Sequence, residues 1–322
     1  MKKIPYIMDF DTGTDDAIAL ICALLNQDTL DIKAITTVAG CVELDKTSTN
    51  TLNIVDYLGF DIPVALGAEG PLKKELFVAI SHGPSGLGNV IVPPAKRGFY
   101  DKDAADTIYH FAKECAGDLH LLACGPLTNL ALALLRYPDM NTLIKRITIM
   151  GGALVGGNMT QASEFNIWVD PDAAKIVFDA GIPLTMVGLD VTLKTEMPKS
   201  VFEKIAVTDN PFAELSTRII DFMINRNQLS AVSLYGSVEL DPAYMHDALA
   251  MAALVRPDLI TTKKYNIAVE LDGENTRGMT VADFNNVMNR EPNIDAAVEV
   301  DVEGFWEWML ELMANGPGRV SS

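Results

Sequence analysis

The sequence predicts an α/β fold, an open and mostly parallel sheet flanked by helices. Three observations predict it. Short, nearly continuous apolar runs suit strands buried on two faces. They alternate with longer stretches of helical period. Several of those stretches start at Asp or Pro and end near Gly, where helix boundaries favour them.

In chain order, "IPYIM" is an apolar strand that runs into a cluster of aspartates. "DDAIALICALLNQ" follows as a helix with acidic residues in its first turn, the positive end of the helix dipole. "IKAITTV" and "IPVAL" read as strands around the helix "ELDKTSTNTLNIVDYLG". From Gly67 to Gly98, Gly and Pro are dense and no period persists, so a long mobile or functional loop is expected. "DAADTIYHFAKECAG" then reads as a helix, "LHLLAC" as a strand and "PLTNLALALLRYP" as a helix between prolines. The strands "RITIM" and "IPLTMVGL" flank the helix "DPDAAKIVFDAG". From Pro198 to about Arg256 the pattern is mostly helical, "YNIAVEL" returns to a strand, and "VEGFWEWMLELMA" reads as a C-terminal helix. No linker, charge block or repeat interrupts the pattern, so residues 1–322 are expected to form one elaborated Rossmann-like domain.

At 49% hydrophobic residues, 322 residues can bury a sizeable core. Lys and Arg total 25 against 43 Asp and Glu, a net charge of −18 that repels phosphate backbones and anionic membranes. Nucleic acid and membrane are therefore not expected partners, whereas a neutral or cationic ligand is compatible. Cys22, Cys41, Cys115 and Cys124 are scattered without a C-x-x-C pair, which fits a reducing compartment. With no apolar leader in "MKKIPYIMDF" and no span-length apolar stretch, a cytoplasmic location is expected.

The chemistry is concentrated in "IMDFDTGTDDAIAL", which holds aspartates at 9, 11, 15 and 16. The helix dipole accounts for Asp15 and Asp16, worth roughly 0.3–1 kcal/mol each when exposed. It does not account for Asp9 and Asp11, whose like charges at a strand end would raise each other's pKa. A hard divalent cation removes that repulsion, and the carboxyl end of a strand is where open α/β sheets bind ligands. An EF-hand is excluded, because its sixth and twelfth positions would be Thr14 and Leu20 instead of Gly and Glu. Asp9-Phe10-Asp11-Thr12 resembles the D-x-D-x-T of haloacid-dehalogenase phosphotransferases, with Asp9 as nucleophile and Mg²⁺ alongside. Asp9 to Ala17 also fits D-x-D-x-G-x-D-D-A, the first-strand motif of nucleoside hydrolases.

Further segments separate these readings. "SEFNIWVDPDAA" (163–174) resembles the nucleoside hydrolase ribose-binding segment, and "HDALAMAAL" from His246 its late H-D-x-x-A segment. "ACGPLTNLALAL" resembles a strand-to-helix turn of that family, "SHGPSGLGN" its H-G-x-x-G-L loop and "TRGMTVADF" its late strand. The matches keep one order from residue 4 to about 285, whereas the phosphotransferase reading accounts for the first alone. The chain thus resembles the inosine-uridine-preferring nucleoside hydrolases over nearly its whole length, and a nucleoside hydrolase fold is expected.

That resemblance implies calcium-dependent hydrolysis of a ribonucleoside N-glycosidic bond, with inversion at C1′. It implies Ca²⁺ on Asp11, Asp16, the main-chain carbonyl of Cys124 and Asp247. Asp11 would act as general base on the metal-associated water and His246 as acid for the leaving base, with His82 a second candidate. Asp15 would hold the 2′-hydroxyl, and Asn158, Glu164, Phe165 and Asn166 would form the sugar-binding segment. The family's dimers and tetramers imply a homodimer or homotetramer. Base preference is expected to reside in the loop around His82 and the segment from about Phe222 to Tyr244. One departure is Cys41, which stands where the family has Asn near the water and ribose. A slow enzyme or a non-catalytic nucleoside or ribose binder is the alternative it raises.

Overall fold

The structure is a computed structural model describing residues 3–229 and 242–318. Its strands are β1 (Ile4–Phe10), β2 (Leu30–Thr37), β3 (Val64–Ala65), β4 (Leu119–Ala123), β5 (Ile144–Met150), β6 (Leu184–Val187), β7 (Ile260–Tyr265), β8 (Ile267–Val269), β9 (Thr280–Ala282) and β10 (Ile294–Val300). Its α-helices are α1 (Thr14–Leu25), α2 (Leu44–Tyr57), α3 (Ala104–Glu114), α4 (Thr128–Arg136), α5 (Met140–Leu143), α6 (Phe165–Val169), α7 (Pro171–Phe178), α8 (Leu189–Thr192), α9 (Lys199–Ala206), α10 (Pro211–Leu229), α11 (His246–Val255) and α12 (Val302–Ala314).

Among the described residues, eight strands form one sheet in the order β3-β2-β1-β4-β5-β6-β10-β7, parallel except for the antiparallel edge strand β7. Alternation along the central strands feeds two apolar layers. Met8 and Phe10 face a core with α1, α10, α11 and α12, while Ile7 faces one with α3, α4 and α7. The strand succession reverses direction between β1 and β4, the switch point at which open sheets place ligands. Asp9 pairs there with Ala123 on one side and Thr36 on the other.

The expected strands and helices are present through β6. The "YNIAVEL" expectation needs correction: Tyr265 ends edge strand β7, and only Ile267–Val269 forms β8, paired with β9 in a separate hairpin. Strands β7 and β10 complete the main sheet without having been anticipated. No helix among the described residues is long and apolar enough to cross a membrane.

Asp170 ties the site-bearing segments together. Its carboxylate caps α7 through Ala173 N–H at 3.0 Å and also accepts from Thr128 Oγ1 at 2.7 Å and Leu72 N–H at 2.8 Å. Asp170→Ala leaves these buried donors unpaired, and a thermal or denaturant melt is expected to show a loss of about 3 kcal/mol.

Candidate active site

β1 ends at Phe10 and the chain enters α1 at Gly13, so four aspartates leave the carboxyl edge of the sheet together. Asp11 is fully enclosed. Its Oδ2 accepts the Cys41 backbone N–H at 2.6 Å. Gly40 and Gly125 press on the same carboxylate: a Cβ at Gly125 would lie 2.8 Å from Asp11 Oδ1, and one at Gly40 would collide with Oδ2. Asp16 Oδ2 accepts Gly13 N–H at 3.0 Å and lies 3.8 Å from the Cys41 thiol. Asp247 joins from the first turn of α11, which packs on α1.

Two groups result. Asp15, Asp16 and Asp247 each bring an oxygen within 4.8 Å of the others, and Asp11, Asp16 and the Cys41 sulfur form a second group on the same criterion. Asp11 Oδ1, Asp16 Oδ1 and Asp9 Oδ2 are buried without a hydrogen-bond partner. Uncompensated buried carboxylate oxygens cost several kcal/mol, and a hard divalent cation accepts several of them at once. The residues therefore fit a divalent metal. The Cys124 carbonyl accepts from Asn166 Nδ2 at 2.8 Å and retains a second lone pair.

Above this floor lies a cavity of about 660 Å³, the size class of small-molecule sites. Asp15, Asp16, His82, Asn158, Glu164, Phe165, Asn166, His246, Asp247 and Cys124 all line it, so the topology unites segments far apart in sequence. Asp11 lies beneath that surface. Asp9 lies deeper still, its Oδ1 held by Thr36 Oγ1 at 2.5 Å and Asn129 Nδ2 at 2.7 Å. Asp9 is enclosed and does not line the cavity, and its Oδ1 is already spent on two donors, so the geometry does not present it as a nucleophile to a substrate phosphate.

The ribose-like segment forms α6, a short helix not anticipated from the sequence. Glu164 caps it and accepts three backbone N–H groups, from Gly152, Asn166 and Ile167, at 2.9, 2.9 and 3.2 Å. Asn166 gives its amide hydrogens to the Cys124 and Met150 carbonyls, leaving its own oxygen as an acceptor. Asn158 is exposed at the rim, its oxygen accepting from Phe165 N–H at 2.9 Å.

The segment read as a loop is anchored rather than loose. Lys74 donates to the Trp168 carbonyl at 2.7 Å and sits 3.4 Å over the Trp168 ring, which packs edge-to-face with Phe77. His82 Nδ1 accepts Thr14 N–H at 3.1 Å and lies 2.9 Å from the Thr14 hydroxyl. Lys74→Met is expected to raise KM for the cavity's ligand severalfold, with a small effect on kcat, because it frees Phe77 but not the acidic floor; steady-state kinetics tests this split. His246 opens α11, with Nδ1 2.8 Å from Thr192 Oγ1 and its ring 5.5 Å from Tyr244. Sequence reasoning missed Thr192. Met223, Arg226 and Tyr244 line the cavity and fall within the segment from about Phe222 to Tyr244 expected to carry base preference, although none of the three was named as a lining residue there. Of the expected base-preference segment, residues 230–241 lie outside the described residues.

Burial dominates the electrostatics. It pushes Asp9 up to about 7, Asp11 to about 6 and Glu164 to about 7. Asp16 and Asp247 are also raised, first by burial and then by their neighbours' charges. A carboxyl with a raised folded-state pKa favours folding below its unfolded value, and that contribution is lost as pH rises through the folded one. His82, lowered to about 4 by burial, opposes this below its ordinary value of 6.5, as does His120. Five carboxyls outweigh two histidines. The metal-free protein is thus expected to melt several degrees higher near pH 5 than near pH 8.

A buried acidic centre at the carboxyl edge of a parallel sheet, under a cavity of this size, defines an enzyme site for a small polar ligand. Comparison with known proteins specifies the class. The family description "inosine-uridine preferring nucleoside hydrolase" matches residues 6–307. Pyrimidine-specific ribonucleoside hydrolases RihA from Salmonella typhimurium and Citrobacter koseri are each 39% identical, covering 96% and 97% of this chain and 97% and 98% of theirs. Among solved structures, a purine-preferring ribonucleoside hydrolase from Gardnerella vaginalis superposes with a TM-score of 0.87 at 33% identity, covering 96% of this chain and 98% of that one. The plant nucleoside hydrolase PpNRh1 superposes at 0.88 and 31%, covering 98% and 100%. The chain belongs to the inosine-uridine preferring nucleoside hydrolase family. Its reaction is hydrolysis of an N-glycosidic bond.

Proposed function

We propose that this chain hydrolyses ribonucleosides to free base and ribose in a calcium-dependent reaction. The cation would be held by Asp11, Asp16, the Cys124 carbonyl and Asp247. The observation that carries the reading is the set of buried, unpartnered carboxylate oxygens under a nucleoside-sized cavity. Oxygen donors at this density favour a hard cation of high coordination number, and calcium suits that better than zinc. Bound there, calcium supplies positive charge that offsets the carboxylates and acidifies water.

The chain's own groups do the rest. Asp11 takes a proton from the attacking water as that oxygen bonds to C1′ and the C1′–N bond breaks. Asp15 accepts from the 2′-hydroxyl, while Glu164 and Asn166 offer further acceptors deep in the cavity and Asn158 at its rim. Phe165 packs beside the sugar. His246, oriented by Thr192, delivers a proton to the departing base. His82 is better suited to orienting than to protonating. Its Nδ1 faces the Thr14 N–H, so the neutral ring keeps only its Nε2 hydrogen to donate.

The 39% identity to pyrimidine-specific relatives makes uridine and cytidine the first substrates to assay. Reducing-sugar release from uridine, cytidine, inosine and adenosine, compared as kcat/KM, tests the reading. Failure to turn over any of the four with calcium bound overturns it. His246→Ala is expected to lower kcat on uridine by about 10²–10⁴-fold yet spare a riboside whose phenolate leaving group needs no proton. Equal losses on both substrates would count against His246 as the acid.

A further inference from the structure

We propose that Cys41 gives the acidic centre a second, thiophilic face. Its sulfur, with one oxygen each from Asp11 and Asp16, forms a site for a soft or borderline divalent cation such as Cd²⁺ or Zn²⁺. This rests on reading the acidic centre as a cation site and adds a donor set to it.

The centre holds two overlapping groups of donors. Asp15, Asp16 and Asp247 offer oxygen only, whereas Asp11, Asp16 and Cys41 offer two oxygens and a sulfur. The sulfur stands 3.8 Å from Asp16 Oδ2. Zinc bonds of about 2.3 Å to sulfur and about 2.0–2.2 Å to oxygen, at a tetrahedral angle, place two donors on one ion about 3.5–3.7 Å apart, close to that separation. The second, independent feature is the pair of orphaned oxygens. Asp11 Oδ1 and Asp16 Oδ1 are both fully buried and have no hydrogen-bond partner. Cys41 is a free thiol on the cavity wall, so an ion entering the cavity reaches it.

On binding, the S–H bond gives way to a sulfur–metal bond and the proton passes to solvent. Thiolate donors select soft and borderline ions over calcium, which takes oxygen. Asp11 and Asp16 both belong to the proposed calcium site as well, so the two cations compete. A thiophilic ion is then an inhibitor that acts by claiming the shared carboxylates.

The test is a Cd²⁺ titration of metal-stripped full-length protein, followed by the ultraviolet thiolate-to-cadmium charge-transfer absorption, with Ca²⁺ calorimetry in parallel. The wild type is expected to develop the absorption to saturation at one Cd²⁺ per chain, and added Ca²⁺ to weaken Cd²⁺ binding. Cys41→Ser and Cys41→Ala are each expected to abolish the absorption and weaken Cd²⁺ binding at least about tenfold, the scale on which even outer-shell changes act. Calcium affinity should hold. Absorption that persists in both variants assigns the ion to another thiol, such as Cys124, and overturns the proposal. Saturating Cd²⁺ without absorption in the wild type overturns it with no variant needed. In either case intact Ca²⁺ binding leaves the hydrolase reading standing, whereas a protein that binds neither cation loses both.

Discussion

Asp16→Asn is expected to lower kcat/KM on a ribonucleoside by at least about 10²–10³-fold, the scale for losing one preorganised electrostatic group. The same substitution should raise the melting temperature of the metal-free protein. Asp16 sits among Asp11, Asp15 and Asp247 with one orphaned oxygen, and burial followed by the charges of Asp11 and Asp15 raises its pKa. An isosteric amide removes the charge that the metal-free fold has to bury. Calcium reverses the order. At 100 times its Kd, a ligand specific to the folded state adds about 2.7 kcal/mol, a gain open to the wild type and largely closed to Asp16→Asn. Opposite signs in activity and metal-free stability distinguish a functional site from a structural ion pair, for which both would fall. Melting curves with EDTA and with calcium, beside the kinetics, make the comparison.

The second large effect concerns the sugar. The groups around the cavity floor are acceptors: the Asp15 carboxylate, the Glu164 carboxylate already filled on one side by backbone N–H groups, and the Asn166 oxygen whose amide hydrogens are spent on carbonyls. Such a floor selects for O–H donors. Removing the 2′-hydroxyl leaves a buried acceptor unpaired, and sites built around a substrate hydroxyl reject the analogue lacking it by about 10⁴–10⁵. 2′-Deoxyuridine is expected to show a kcat/KM lower than that of uridine by about 10⁴. A difference within tenfold would mean that the floor does not grip that hydroxyl.

The parallel half of the fold was legible because strands β1 to β6 lie under helices on both faces and so carry near-continuous apolar runs. Edge strand β7 was not. Thr261, Thr262, Lys263 and Lys264 are exposed, so no apolar run marks it. The "YNIAVEL" run misled because Asn266 breaks it between two sheets, giving Ile267 and Val269 to a small hairpin over α7. In the site, the motif residues were legible because local chemistry crowds them, four aspartates within eight positions being hard to explain otherwise. Their depth was not. That Asp11 lies beneath Asp16, and that Glu164 spends much of its carboxylate capping α6, depends on packing from Gly40, Gly125 and Gly152. Arg226 and Met223 reach the cavity from a long helix inside the expected base-preference segment, where the helical period alone does not say which side chains face the cavity.

The most direct test is a calcium titration of EDTA-stripped protein with ribose release from uridine, cytidine, inosine and adenosine as the readout. The expected result is a stripped protein without activity, regaining turnover of at least one ribonucleoside in step with calcium bound at one ion per chain. Undiminished turnover without any divalent cation, or saturating calcium with no ribose released, would contradict it.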